Sequence, residues 1–155
     1  MSPREQTFVT FQILSSTLSV NDIADRSGLI ADTTWKAGDR RGHFGAEEKK
    51  NGFILESKLP EIASLDDHVK AMLRRLAPTA QKIGTLAGEC SIEFLCTVHR
   101  KTAPMLRFER DDLRWLGVMG ARLDVDIFVL KEPGSSSGPQ RSQTPNPTPT
   151  AGGPA

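Results

Sequence analysis

The chain of 155 residues has no tyrosine, only two cysteines and only three histidines. Each scarcity excludes a class of chemistry. Cys90 and Cys96 lie in ECSIEFLCTVH, which alternates like a strand. Six residues of strand span about 20 Å, whereas a disulfide needs Cα atoms within about 7 Å. The two thiols therefore cannot pair, and both read as small core hydrophobes. His43 falls in a polar loop, His68 in the first turn of a helix and His99 at a strand end. Nothing in that spacing makes them converge on a metal. HExxH, GxSxG, P-loop and CxxC patterns are absent, so no catalytic residue, metal or cofactor is expected. No apolar run approaches the ~18 residues that span a bilayer. The N-terminal MSPREQTFVTF has no apolar signal core. These two absences lead us to expect a cytoplasmic protein with no membrane partner.

An excess of charge is also missing. Lysine and arginine total 20, and aspartate and glutamate total 19. Arg141 is the only charged residue after Glu132, so residues 1–132 carry 19 of each sign. A neutral body argues against strong non-specific binding to nucleic acid. Apolar residues are scarce too, at 37%, and the last 23 residues account for part of this. Residues 133–155 hold six of the ten prolines and four of the thirteen glycines, and their only apolar side chains are Ala151 and Ala155. Such a segment buries too little to offset the entropy of ordering and reads as a disordered tail. A single domain over residues 1–132 is expected.

What is present reads as strands alternating with helices. TFVTFQILS (7–15) is β-branched and aromatic, with Val9, Phe11 and Ile13 on one face. In LSVNDIADRSGL, Ser19 caps a short helix with Asp22 at its third position. Leu18 and Ile23 form a hydrophobic staple, and Gly28 ends the helix. Leu29 and Ile30 then turn the chain to the core. Residues 36–52 are a long polar loop, FILES (53–57) a second strand, and Ser64 caps a long helix. Val69, Met72, Leu73, Leu76, Ala80, Ile83 and Ala87 share its apolar stripe. Because the stripe keeps its phase past Pro78, a kink is expected there and the helix should close at Gly88. A third strand spans 91–99 and a fourth 105–109, close enough to form an antiparallel hairpin. Asp111 or Asp112 opens a last helix, ended by Gly120. RLDVDIFVL (122–130) is the final strand, with Leu123, Val125, Ile127 and Val129 facing the core. The order β-α-β-α-β-β-α-β predicts an α+β two-layer sandwich, a largely antiparallel five-stranded sheet with helices on one face.

Four stretches carry a family likeness. They are TTWKAGDR after the first helix, GFILESKLP, LRRLAP within the long helix, and the ending GVMGARLDVDIFVL. Together they resemble the bacterial domain-of-unknown-function 4279 family over roughly residues 7–131. The markers are Thr34 with Gly38-Asp39, the strand after Gly52, and Asp126-Ile127-Phe128. Members often carry tyrosine where Phe128 stands and tryptophan where Phe53 stands. The resemblance implies no reaction. Some members are thought to be immunity proteins beside bacterial toxins, which implies a protein partner.

Within that frame, the candidate binding residues are Trp35, Lys36, Gly38, Asp39, Arg40, Arg41, His43 and Asp126. The loop from 36 to 52 has five basic and three acidic residues. Arginine forks beside glycines suit anions, and Trp35, Phe44 and Phe53 flank the loop for stacking. Trp35 is expected to pack over the first helix or the sheet edge, with Gly38 supplying a tight turn and Asp39 bonding its backbone. Asp126, an acid amid an apolar strand, is expected either to be exposed or to pair with Arg40 or Arg41 and anchor the loop. Asp124 shares its face about 7 Å away, but adjacent exposed aspartates are far commoner than catalytic pairs. The expected function is a non-enzymatic protein-binding domain. The alternative is a small-ligand or anion-binding module using residues 35–45 and the open sheet face.

Overall fold

In the computed structural model, which describes residues 3–132 and Gly134, alternation of apolar side chains builds the central strands. β1 (Gln6–Ser15) turns Val9, Phe11 and Ile13 to the core. It pairs antiparallel with β5 (Asn51–Glu56) on one side and β6 (Ser91–Arg100) on the other. Phe11 meets Phe94 edge to face at 5.3 Å, and Phe53 and Leu55 of β5 complete that surface. The short β2 (Thr33–Trp35) adds to the outer side of β5. The other edge is β7 (Arg122–Val129), which runs parallel to β6. The five-stranded sheet has the order β2-β5-β1-β6-β7. The expected α+β sandwich is present, but its sheet is mixed rather than largely antiparallel. A parallel pair needs a long crossover, which here contains α4 (Arg110–Met119).

All helices cover the face that carries Phe11. α1 (Val20–Ser27) starts as expected, with Ser19 Oγ accepting from Asp22 N–H and Asp22 Oδ2 accepting from Ser19 N–H. α2 (Leu65–Leu76) buries Val69, Met72, Leu73 and Leu76. Pro78 does more than kink the long helix: a 3₁₀ turn, Ala77–Thr79, separates α2 from α3 (Ala80–Gly84). The stripe continues through Ala80 and Ile83, then through Leu86 rather than Ala87. α3 stops four residues before Gly88. α4 is capped at Glu109, whose N–H bonds Asp112 Oδ2, rather than at an aspartate.

Two other expectations are corrected. Residues 105–109 form no strand, because both sides of β6 are already taken by β1 and β7. The fifth strand is instead β2, in the polar stretch after α1. Along β7, Leu123 and Val125 pack partly on the core, but Ile127 and Val129 are exposed. Ile30 is also exposed, although Leu29 is buried. The expected disordered tail, 133–155, lies outside the described residues apart from Gly134. Among the described residues, no helix is long and apolar enough to cross a membrane.

Candidate binding surface

The long polar loop is a small ordered hairpin. β3 (Arg40–Arg41) pairs with β4 (Ala46–Glu47), and Gly45 N–H closes the turn on Gly42 C=O at 3.2 Å. At the base, Gly38 (φ 94°) adopts a conformation that disfavours any side chain. Asp39 Oδ2 accepts from Lys36 N–H at 2.8 Å, as the Gly-Asp turn predicts. Gly38 N–H donates to Glu48 C=O, and Glu48 N–H donates to Asp39 C=O. Asn51, which the sequence did not single out, fastens the base to the body. It accepts from Ala37 N–H and donates to Leu18 C=O.

Trp35 is the hub of this attachment. It is buried on the sheet face opposite the helices, and its register places it beside Gly52. A Cβ at position 52 would clash with the indole, so glycine allows the ring to lie on the strand backbone. The Arg41 guanidinium covers the ring from 3.7 Å and also pairs with Glu48 at 3.5 Å. The indole Nε1 is buried and has no hydrogen-bond partner among the described residues. A cleft of about 440 Å³ opens beside it, lined by Gln12, Leu14, Trp35, Arg41, Glu48 and Lys50 among others.

Beyond this anchor the hairpin is bare. Phe44 at its tip is 96% exposed and touches His43 edge to face. Arg40, His43, Lys49 and Lys50 are exposed, as is Lys36 at the base. No ion pair engages Lys36, Arg40, Lys49 or Lys50 among the described residues. The eight sequence candidates therefore divide. Trp35, Gly38, Asp39 and Arg41 build the anchor, while Lys36, Arg40 and His43 are displayed. Phe44, the most exposed aromatic of the group, belongs with the displayed set.

Asp126 does not join them. It is on β7, four strands from β2, which is about 19 Å at normal strand spacing. It is exposed and cannot anchor the hairpin through Arg40 or Arg41. Asp124 is tied to Arg122 at 3.0 Å, and Arg122 also reaches the buried Glu93, to which Gln12 donates at 2.6 Å. Asp124 thus belongs to a structural network, and Asp126 stands exposed outside it.

The remaining titratable groups are dispersed. His68 is buried, and a 2.5 Å hydrogen bond joins its Nδ1 to Ser57 Oγ. His99 stacks on Phe128 at 4.9 Å, at the far edge of the sheet. Burial pushes the Cys96 thiol up to about 12 and raises Cys90, and both are free. Among the described residues, no group of three or more His, Cys, Asp or Glu could hold a metal ion.

The family model described as a domain of unknown function, DUF4279, matches residues 5–130. The chain belongs to this family. The match takes in β1 through β7 and includes both the Trp35 anchor and the hairpin. No curated protein and no solved structure matches the chain. Membership adds no chemistry to the surface described above.

Proposed function

We propose that this is a non-enzymatic, cytoplasmic binding protein that recognises a protein partner through the β3–β4 hairpin. The observation that carries the reading is the pairing of a rigid base with a bare tip. Trp35, Arg41 and Asn51 hold the hairpin to the sheet, and Phe44 stands 96% exposed beside Arg40 and His43. A preorganised aromatic next to arginine is the composition of an interface anchor. The unpaired cations favour an acidic partner surface with an apolar notch for Phe44. A toxin neutralised by this surface is the partner class that the family resemblance supports.

The test uses the full chain as bait in a lysate of the source organism, against an Arg40→Ala/Phe44→Ala variant. Both substitutions are on exposed side chains, so the variant should fold. A stoichiometric protein captured by the first bait and lost by the second is the expected result. Equal capture by both would overturn the hairpin as the recognition surface.

A small anion in the neighbouring cleft is the second reading, favoured by the unpartnered Trp35 Nε1 donor. Glu47 and Glu48 line the same cleft as Arg41, Lys49 and Lys50, so its charge is nearly balanced and the protein reading is preferred. Thermal stabilisation by inorganic phosphate, lost in Lys49→Ala/Lys50→Ala, would reverse that preference.

A further inference from the structure

β7 is a long strand at the edge of the sheet. Among the described residues it pairs only with β6. Leu130 N–H donates to Arg100 C=O at 2.8 Å, so even-numbered residues turn their backbone groups towards β6. Leu123, Val125, Ile127 and Val129 then turn theirs outward. Ile127, Phe128 and Val129 are 41%, 51% and 55% exposed. The segment 104–107 lines one groove with Val98 and Arg100, the β6 neighbours of Ile127 and Val129. It adds Met105 and Leu106, both exposed, to the same side of the sheet. Native edges of this length are usually shortened, covered or charged. Here the charges are Arg122, Asp124 and Asp126, and they restrict what can pair with the strand.

We propose that β7 is a self-association edge, where two copies pair antiparallel about a two-fold axis at Ile127. The axis stands perpendicular to the sheet, so opposed residues share a face and the register must centre on a residue. Centring on Asp124 or Asp126 sets an aspartate against itself. Centring on Val125 sets Asp124 against Asp126, and centring on Phe128 sets Asp124 against Glu132. Centring on Ile127 opposes Ile127 to itself and Val125 to Val129. Asp126 then faces Phe128, and Asp124 faces Leu130. Arg122 stands opposite Glu132, which already pairs with Lys101 at 3.2 Å. Of these five registers, only the one at Ile127 brings no like charges face to face, and directly opposed like charges destabilise a sheet. It also buries the exposed apolar residues of both copies on the helix side. The result is a continuous ten-stranded sheet with the hairpins at its outer ends, so the inference does not rest on the hairpin reading.

The experiment is analytical ultracentrifugation of the full chain in a dilution series, with single-cysteine cross-linking to read the register. The chain should sediment as a dimer that dissociates on dilution. Ile127→Cys should form a disulfide-linked dimer under mild oxidation, since directly opposed residues lie about 5.5 Å apart between Cα atoms. Asp126→Cys, opposite Phe128, should stay uncrosslinked, as should the wild-type thiols. Ile127→Lys should raise the dimer dissociation constant at least about tenfold, with a melting temperature equal to that of the wild type at dilutions where both are monomeric. A wild-type chain that remains monomeric throughout the series would overturn the proposal. So would a dimer that survives Ile127→Lys, or equal cross-linking through Asp126→Cys.

Discussion

Trp35 shows how a residue in a polar stretch can carry structural weight. Its ring lies on Gly52 and under Arg41, outside the main core. The contact depends on a missing Cβ. Gly52→Ala is therefore expected to displace the indole and destabilise the fold by about 1–3 kcal/mol, the usual range for overpacking. Urea denaturation followed by tryptophan fluorescence would measure it, and a blue-shifted or unchanged native emission with unchanged stability would refute the packing account. Phe44→Ala should have no such effect, because the side chain touches little beyond His43. Its expected change in stability is within about 0.5 kcal/mol.

At the scale of elements, local signals decided more than overall composition. α1 has a complete cap, staple residues and a terminal glycine. Ser19→Ala should cost about 1 kcal/mol through loss of the Asp22 N–H bond, readable as a lower denaturation midpoint at constant slope. Where local signals were weak, partners decided. Residues 105–109 alternate well enough for a strand, yet β6 has no free side to receive them. Residues 33–35, Thr-Thr-Trp, favour a strand but are too few to announce one, and the open side of β5 takes them up. Pro78 was legible as an interruption, but whether the helix would bend or divide depended on the packing of Ala80 and Ile83 beneath it.

For the molecule as a whole, two groups with tertiary partners contribute to the pH dependence of stability between neutral and acid pH. Burial is the main influence on His68 and lowers it below its ordinary 6.5, against an opposing pull from the Pro60 carbonyl and Asp67. The unfolded ring gains a proton more readily than the folded one. Its contribution is complete above about 6.5 and is lost as pH falls through that value. Asp32 links β2, β5 and α2 by accepting from Lys58, Arg75 and Glu56 N–H. Partial burial pushes its carboxyl up, but the bonds from Arg75, Lys58 and Glu56 outweigh that and hold it well below its ordinary 3.8. Its contribution is present above 3.8 and lost at more acid pH. Melting temperature against pH should show two descending steps. His68→Gln should remove the upper step, and Asp32→Asn should shrink the lower one, to which Asp22, held low by its bonds to Ser19, also contributes. A wild-type profile that is flat from neutral pH to about 5 would contradict the account of His68.

The family and the α+β class were legible in the sequence, as were α1 and most of the apolar faces of β1, β6 and α2. Each is written in neighbouring residues, as period-two or helical spacing, a cap or a short marker. The Gly38-Asp39 turn was legible for the same reason. The rest depended on residues far apart in the chain. Pairing with β5 made the three-residue β2 a strand, and the crossover through α4 made β7 parallel. The fixed order of strands set Asp126 and the hairpin at opposite edges. The support given by Asn51, Gly52 and Asp32 was hidden as well, because each acts on groups at least 14 residues away. Local chemistry determined which elements form, and only the tertiary structure decided which of them meet.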